Sequence, residues 1–288
     1  MGAAVRGGAG RARHGGGDER RSDPRPSKRG AAVLSAVDVD LWLASSEAPD
    51  EVVAQCAALM DAGERRRAEA LRAPGSRRLH VLARALVRTT LSSYCDVAPE
   101  RWRFAPDPGG KPRISGPCER VGLRFSLSHT GGLLALAVSQ GCEVGVDVER
   151  LEPHADFEGL AEVAFAPSER DAVRAAPPAE RAATFVRLWT AKEAFLKAQG
   201  VGLGTVDPRA IAFDADASPL RLARGACAGP WSFHALRPTG AHIATLAVPT
   251  ASVALQVAWA TLGRRVTPPS GSRLAPGLSG RTPWRRAS

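Results

Sequence analysis

No stretch of this 288-residue chain can cross a bilayer as a helix. Its apolar run Leu133–Val138 is far shorter than the roughly 20 residues a span needs. The N-terminal region lacks the apolar core of a secretory signal. Its arginines leave an organellar transit peptide open, although it is poor in serine and carries acids. The five cysteines, Cys56, Cys95, Cys118, Cys142 and Cys227, form no C-x-x-C pair and no Cys/His ligand spacing. Reduced thiols in a cytoplasmic protein are expected, with no zinc site and no membrane contact. A G-x-S-x-G elbow is missing, which speaks against a serine hydrolase of that type. Gly109-Gly110-Lys111-Pro112 lacks the frame of a phosphate-binding P-loop.

Acidic residues are absent from 263–288, which hold six arginines, while residues 1–30 hold eight basic and three acidic residues. Of the net charge of +10, +5 and +6 therefore belong to the two ends, leaving −1 for residues 31–262. That nearly neutral middle argues against specific nucleic-acid binding, which a basic surface favours. Both ends are rich in Gly, Pro, Ser and Arg and poor in large apolar residues. Residues 1–30 and 263–288 are expected as disordered basic tails, because they cannot offset the entropy of ordering.

Between the tails the pattern is α+β and doubled. Val37–Leu43 alternates like a strand, and two helical stretches follow in 50–72. Ser76–Tyr94 places Leu79, Leu82, Leu86, Val87 and Thr90 on one helical face, with Ser76 as N-cap. Trp102–Ala105, Leu123–Leu127 and Leu133–Ser139 read as strands. The second half follows the same order: strand Val144–Glu149, a short helix after Pro167, a long helix Glu180–Gln199 stopped by Gly200, then strands Arg209–Phe213, Trp231–Leu236 and Ile243–Val248. Val37–Asp40 matches Val146–Glu149 at an offset of 109, Ala83-Arg84 matches Ala191-Lys192 at 108, and Phe125 matches Phe233 at 108. Two similar β-α-β-β-β halves, 31–140 and 141–262, are expected, related by a pseudo-twofold with the active site in the cleft between them.

Chemistry concentrates in two segments of the second half. In Gly145-Val146-Asp147-Val148-Glu149 the two carboxylates share one strand face while the valines bury on the other. In Trp189-Thr190-Ala191-Lys192-Glu193-Ala194-Phe195-Leu196-Lys197, Glu193 and Lys197 are one helical turn apart. Taken singly, Asp147 and Glu149 would be the wet face of a strand, and Glu193–Lys197 a solvated surface pair. Together, three carboxylates on two elements with lysines nearby suit a hard divalent cation and a phosphate-bearing substrate. Ser128-His129 lies in a Gly-rich hairpin turn suited to phosphate. Lys111 sits on a rigid turn, and Arg67 and Arg78 lie in charge runs whose plain reading is solvated helix surface. Opposite Glu193 the first half offers Ala85, so one site per chain follows.

Val144–Glu149, Phe165-Ala166-Pro167-Ser168-Glu169 and the Trp189–Lys197 nonapeptide together resemble the signature of the 4′-phosphopantetheinyl transferase superfamily. Gly110-Lys111-Pro112 and Phe125-Ser126-Leu127-Ser128-His129-Thr130 resemble its larger, monomeric, Sfp-like class, with Thr130 where serine is common. The resemblance spans about residues 37–250. It implies a pseudo-dimeric enzyme that binds coenzyme A between its halves. Such an enzyme moves the phosphopantetheine arm to a serine of an apo acyl or peptidyl carrier protein and releases 3′,5′-adenosine bisphosphate. It further implies Mg²⁺ on Asp147, Glu149 and Glu193, and coenzyme phosphates on Lys111, Ser128, His129, Lys192 and Lys197, with Arg67 and Arg78 as further candidates. Glu193 and Lys197 are the expected catalytic residues, Glu193 as base. Leu151–Phe165 is the expected carrier-docking segment. The competing readings are a Mg²⁺-dependent nuclease, disfavoured by the neutral core, and a binding module that has kept the fold without activity.

Overall fold

The computed structural model describes residues 36–151, 157–225 and 229–274. The first half begins with strand β1 (Val37–Ser45). Two short helices, α1 (Asp50–Ala58) and α2 (Ala62–Ala70), and a long one, α3 (Pro74–Tyr94), follow. A small hairpin, β2 (Phe104–Pro106) and β3 (Pro112–Ile114), precedes a long one, β4 (Leu123–Thr130) and β5 (Leu133–Gln140). The second half runs in the same order. It comprises β6 (Gly145–Arg150), short helices α4 (Phe157–Ala164) and α5 (Pro167–Ala175), long helix α6 (Arg181–Gln199), small hairpin β7 (Ala212–Asp214) and β8 (Arg221–Arg224), and long hairpin β9 (Ser232–Thr239) and β10 (His242–Val248). A last strand, β11, covers Val253–Trp259.

Sheet order repeats as well. The first sheet contains β1-β5-β4 and the second β6-β10-β9, with the opening strand antiparallel to the closing one in each. The doubled plan expected from the offsets is thus present in element order and strand order, with two short helices and an extra hairpin in each copy. One element breaks it. β11, expected inside the second half, joins the first sheet parallel to β1, pairing Val37 with Val253 and Leu43 with Trp259.

Strand alternation distributes the core. Odd-numbered Val39, Leu41, Leu43, Leu133, Ala135 and Ala137 pack with Val144, Val146, Val148, Ala244, Leu246 and Val248 between the two sheets. Even-numbered Trp42, Ala44, Leu134, Leu136 and Val138 face α3 and its Leu82 and Leu86. A third cluster joins α6, through Leu188, Phe195 and Leu196, to Phe165, Phe213 and Phe233. Continuous burial on both strand faces follows from this helix–sheet–sheet–helix layering.

Two local expectations change. The first long helix begins at Pro74, two residues before Ser76, with Pro in its first turn and Ala73 as N-cap, where the missing proline N–H costs nothing. Residues 263–274, expected in a disordered tail, pack on the first half: Val266 and Leu274 are buried in its core, and Ser272 donates to Asp40 at 2.5 Å. Two apolar anchors among the arginines suffice for this, and bulk composition hides them. Residues 1–30 and 275–288 of the expected tails lie outside the described residues. Among the described residues no helix is long and apolar enough to cross a membrane.

Candidate active site

The site lies where β6 meets α6 of its own half and β4 of the other. Gly145 permits the first contact: a Cβ there would stand 1.9 Å from the Ala194 carbonyl oxygen, so only glycine lets α6 approach this closely. With α6 seated, Asp147 and Glu149 face it while Val146 and Val148 enter the inter-sheet core. On the other side, alternate β4 hydroxyls reach β6. Ser126 Oγ accepts from the Val146 N–H at 3.0 Å, Ser128 Oγ donates to Asp147 Oδ1 at 2.7 Å, and Thr130 Oγ1 donates to Glu149 Oε2 at 3.3 Å. Lys197 closes the ring, its Nζ donating to Asp147 Oδ1 at 2.6 Å and to Ser128 Oγ at 3.0 Å.

The electrostatics are those of carboxylates crowded together. Burial first, then the Asp147 charge, pushes the Glu149 carboxyl up to about 7, and the same two causes raise Glu193. Asp147 is 3 % exposed, and its Oδ2 is buried with no hydrogen-bond partner. An orphaned buried oxygen beside two carboxyls with raised pKa suits a hard cation, which would neutralise all three. Among the described residues, however, no three metal-ligating side chains converge closely enough to hold one ion together. Lys197 instead supplies the positive charge at Asp147.

The other expected coenzyme contacts divide. Ser128 and the exposed His129 lie at the site. The His129 imidazole is held below its ordinary value by the desolvation that the surrounding protein imposes, with Lys197 and Arg84 adding to the effect. Arg78 binds Asp50 at 2.5 Å and the Ala48 carbonyl. It lines a hollow of about 440 Å³ with Ser46, Leu79, Thr130 and Gly131. Arg67 is exposed on α2, near enough to Arg84 to lower its pKa.

Lys192 does not meet the expectation. It is 1 % exposed on the far side of α6, where Nζ binds Glu169 at 2.8 Å, the Pro208 carbonyl at 2.9 Å and the Ile211 carbonyl. Glu169, fully buried, also accepts from the Ala166 and Phe213 N–H groups. Around the helix Lys192 is turned about 100° from Glu193 and about 140° from Lys197, so it leaves their face for a structural ion pair with Glu169. Lys111 is also engaged, donating to Glu143 at 3.0 Å and to the Val144 carbonyl at 2.9 Å, with its side chain 7 % exposed. Its turn is locked there because a Cβ on Gly109 would lie 1.6 Å from the Gly200 carbonyl oxygen. Lys111 thus anchors the start of β6 under the end of α6.

A second cationic group went unrecognised in the sequence. His80, Arg84 and Arg88 recur every fourth residue on α3 and face Glu64 of α2. Arg88 is fully buried and holds Glu64 at 2.7 Å and Asp61 at 3.0 Å. Arg84 stands 3.8 Å from Glu64, with its Nε, the His80 Nε2 and Glu64 Oε1 all buried without partners. Burial lowers Arg84 and His80, and charged neighbours, Arg67 among them, push each further down. The free Arg84 Nε, with Arg67 nearby, gives this cluster donor capacity for an anion. The available signal was the offset that aligned Arg84 with Lys192.

Comparison with known proteins gives the family. The 4′-phosphopantetheinyl transferase superfamily matches residues 143–247. The 4′-phosphopantetheinyl transferase HetI of a Nostoc species is 33 % identical over 216 residues, covering 75 % of this chain and 90 % of that protein. A putative 4′-phosphopantetheinyl transferase of a Synechocystis species is 31 % identical over 163 residues, covering 57 % and 65 %. The 4′-phosphopantetheinyl transferase of Bacillus subtilis is 30 % identical over 121 residues, covering 41 % and 50 %. The chain belongs to the 4′-phosphopantetheinyl transferase superfamily, a class of group-transfer enzymes that use coenzyme A.

Proposed function

We propose that this transferase moves the 4′-phosphopantetheine arm of coenzyme A to a serine of an apo acyl or peptidyl carrier protein through Asp147, Ser128, Glu149, Glu193 and Lys197. The observation that carries the assignment is the hydrogen-bonded ring of Asp147, Ser128 and Lys197, built from both halves. Asp147, through its unpartnered Oδ2, would hold Mg²⁺ with Glu149 and Glu193 drawn in beside it, hard oxygen donors for a hard cation. Bound there, it would draw charge from the pyrophosphate oxygens as they develop it.

In the transfer, the carrier serine oxygen forms a bond to the β-phosphorus. The bond from that phosphorus to the bridging oxygen breaks, releasing 3′,5′-adenosine bisphosphate. Such displacements are governed by positioning and charge stabilisation. Lys197 is half-buried with free donor capacity toward the same space, and it would neutralise the pyrophosphate. Glu193 would take the serine proton, directly or through a water, with only weak basicity once it holds the ion. Ser128, His129 and Thr130 would position the phosphates. Arg84, His80 and Arg67 would receive the coenzyme's 3′-phosphate beside the hollow that Arg78 lines. Lys111 and Lys192 support the scaffold and are no longer part of the proposed contact set.

The carrier would dock on α4, which follows β6 and exposes Leu160 at 46 % and Val163 at 65 %. Residues 152–156 of the expected docking segment lie outside the described residues. The nuclease reading gives way on family membership, and the reading of an inactive module on the retained carboxylates. Incubation with coenzyme A, Mg²⁺ and apo carrier proteins of several classes should add one phosphopantetheine, read by intact mass. No addition to any carrier type would overturn the proposal.

A further inference from the structure

The turn that joins β4 to β5 carries Thr130 and Gly131 into the proposed coenzyme hollow. Within its own half it is tied to Ser46: the Gly132 N–H donates to Ser46 Oγ at 3.0 Å, and the Ser46 N–H to the Gly132 carbonyl at 3.2 Å. From the opposite half, His242, at the start of β10 and 7 % exposed, reaches it with Nε2 2.8 Å from the Gly131 carbonyl oxygen. The other ring nitrogen, Nδ1, lies 2.7 Å from Thr239 Oγ1, which accepts from the Ala241 N–H at 3.1 Å.

These partners fix the roles. A carbonyl only accepts, so Nε2 carries the proton and donates to Gly131. Thr239 Oγ1, already accepting from Ala241, donates its own proton to Nδ1. A second proton on the ring would reverse only the Thr239 bond, so the Gly131 bond holds in either charge state. Gly132 is demanded by its backbone, at φ +93°, where a side chain would be strained.

We infer that His242 is a positioning residue for coenzyme binding. Resting on the coenzyme assignment above, this adds a cross-half clamp: His242 fixes the Gly131 carbonyl, and with it the Thr130 hydroxyl that meets Glu149. It touches neither the carboxylates nor the lysine of the reacting centre, so its effect belongs to coenzyme affinity. Glutamine can place its amide N–H where Nε2 stands, whereas methionine fills similar space without a donor. Asparagine keeps polarity near Thr239 but is too short to reach Gly131.

The test compares full-length wild type with His242→Gln, His242→Met and His242→Asn in the transfer assay, with urea midpoints for all four. Loss of one such hydrogen bond should raise the coenzyme KM about fivefold in the Met and Asn variants. kcat should stay within about twofold, and Gln should restore most of the affinity. The Asn variant carries the same expectation should Met fold poorly. A KM in Met and Asn equal to wild type, or Gln as impaired as Met, would overturn the clamp while leaving the transferase reading intact. Wild-type protein that neither binds nor uses coenzyme A would overturn that reading, and the clamp with it.

Discussion

The two halves place a buried glutamate at the start of a short helix and a cation on the long helix behind it, and they use the pair differently. In the second half, Lys192 is saturated by Glu169 and two carbonyls. In the first, Arg88 takes over the glutamate, and Arg84, the counterpart of Lys192, is left with an unpaired Nε beside the unpaired Nε2 of His80. The opening strands diverge in the reverse sense. Asp40, counterpart of Glu149, is 1 % exposed and sealed by Tyr94 at 2.7 Å and Ser272 at 2.5 Å. Asp147 and Glu149 instead meet Ser128, Thr130 and Lys197 where the two halves join. The first half thus seals Asp40 and leaves Arg84 with an unpaired donor, whereas the second saturates Lys192 and gathers Asp147, Glu149 and Lys197 at the junction. A phosphate-rich substrate spanning the junction finds donors on one side and carboxylates on the other.

The largest test of this asymmetry exchanges strand carboxylates. Asp147→Ala should cut transfer on the order of 10³-fold, as loss of a central electrostatic group does, with an unchanged unfolding profile. Asp38→Ala, at the equivalent position of the first half, should leave transfer near wild type. Comparable losses in both would abolish the distinction between the halves.

Next in size are the helix cations. Lys192→Ala strands a fully buried Glu169 and should cost about 3–5 kcal/mol of stability, read by urea denaturation. Arg84→Ala leaves Glu64 held by Arg88. It should shift the denaturation midpoint little and raise the coenzyme KM about tenfold, as loss of a charge-assisted contact does. A destabilised Arg84 variant with normal KM would return Arg84 to a structural role.

The smallest effect concerns Glu149. Its carboxyl keeps its proton to about pH 7 in the folded chain, against an ordinary 4.5. The stabilisation it contributes is therefore complete below about pH 4.5 and lost as pH rises to about 7. In metal-free protein, Glu149→Gln should remove that decline, so the midpoint difference between variant and wild type should widen from about pH 5 to about pH 7.5. Added Mg²⁺ should narrow it at the upper end. A pH-independent difference would show that Glu149 titrates normally.

Much of this was legible in the sequence. Periodicity located both long helices and most strands, and the repeat offset anticipated matching sheet orders. The face shared by Asp147 and Glu149, and that shared by Glu193 and Lys197, followed from local geometry. β11 was not legible as a strand of the first sheet, because its pairing with β1 joins residues more than 200 positions apart. Val266 and Leu274 were hidden for a related reason: a segment's average polarity says little about two side chains that find a preformed core. Lys111 looked available because a turn lysine ordinarily is, and nothing local announces Glu143 across the interface.

By itself, then, the sequence determined the family, the doubled α+β plan and which side chains share a strand or helix face, since these depend on spacing along a regular backbone. Tertiary structure decided which of those side chains meet. It chose Lys197 over Lys192 for the site, brought Ser128 and Thr130 from the other half, left Arg84 Nε and His80 Nε2 without partners and set His242 against Gly131. Those contacts join residues far apart in the chain, and they exist only because apolar packing between the sheets and the fit of α6 over Gly145 fix how the elements lie against one another.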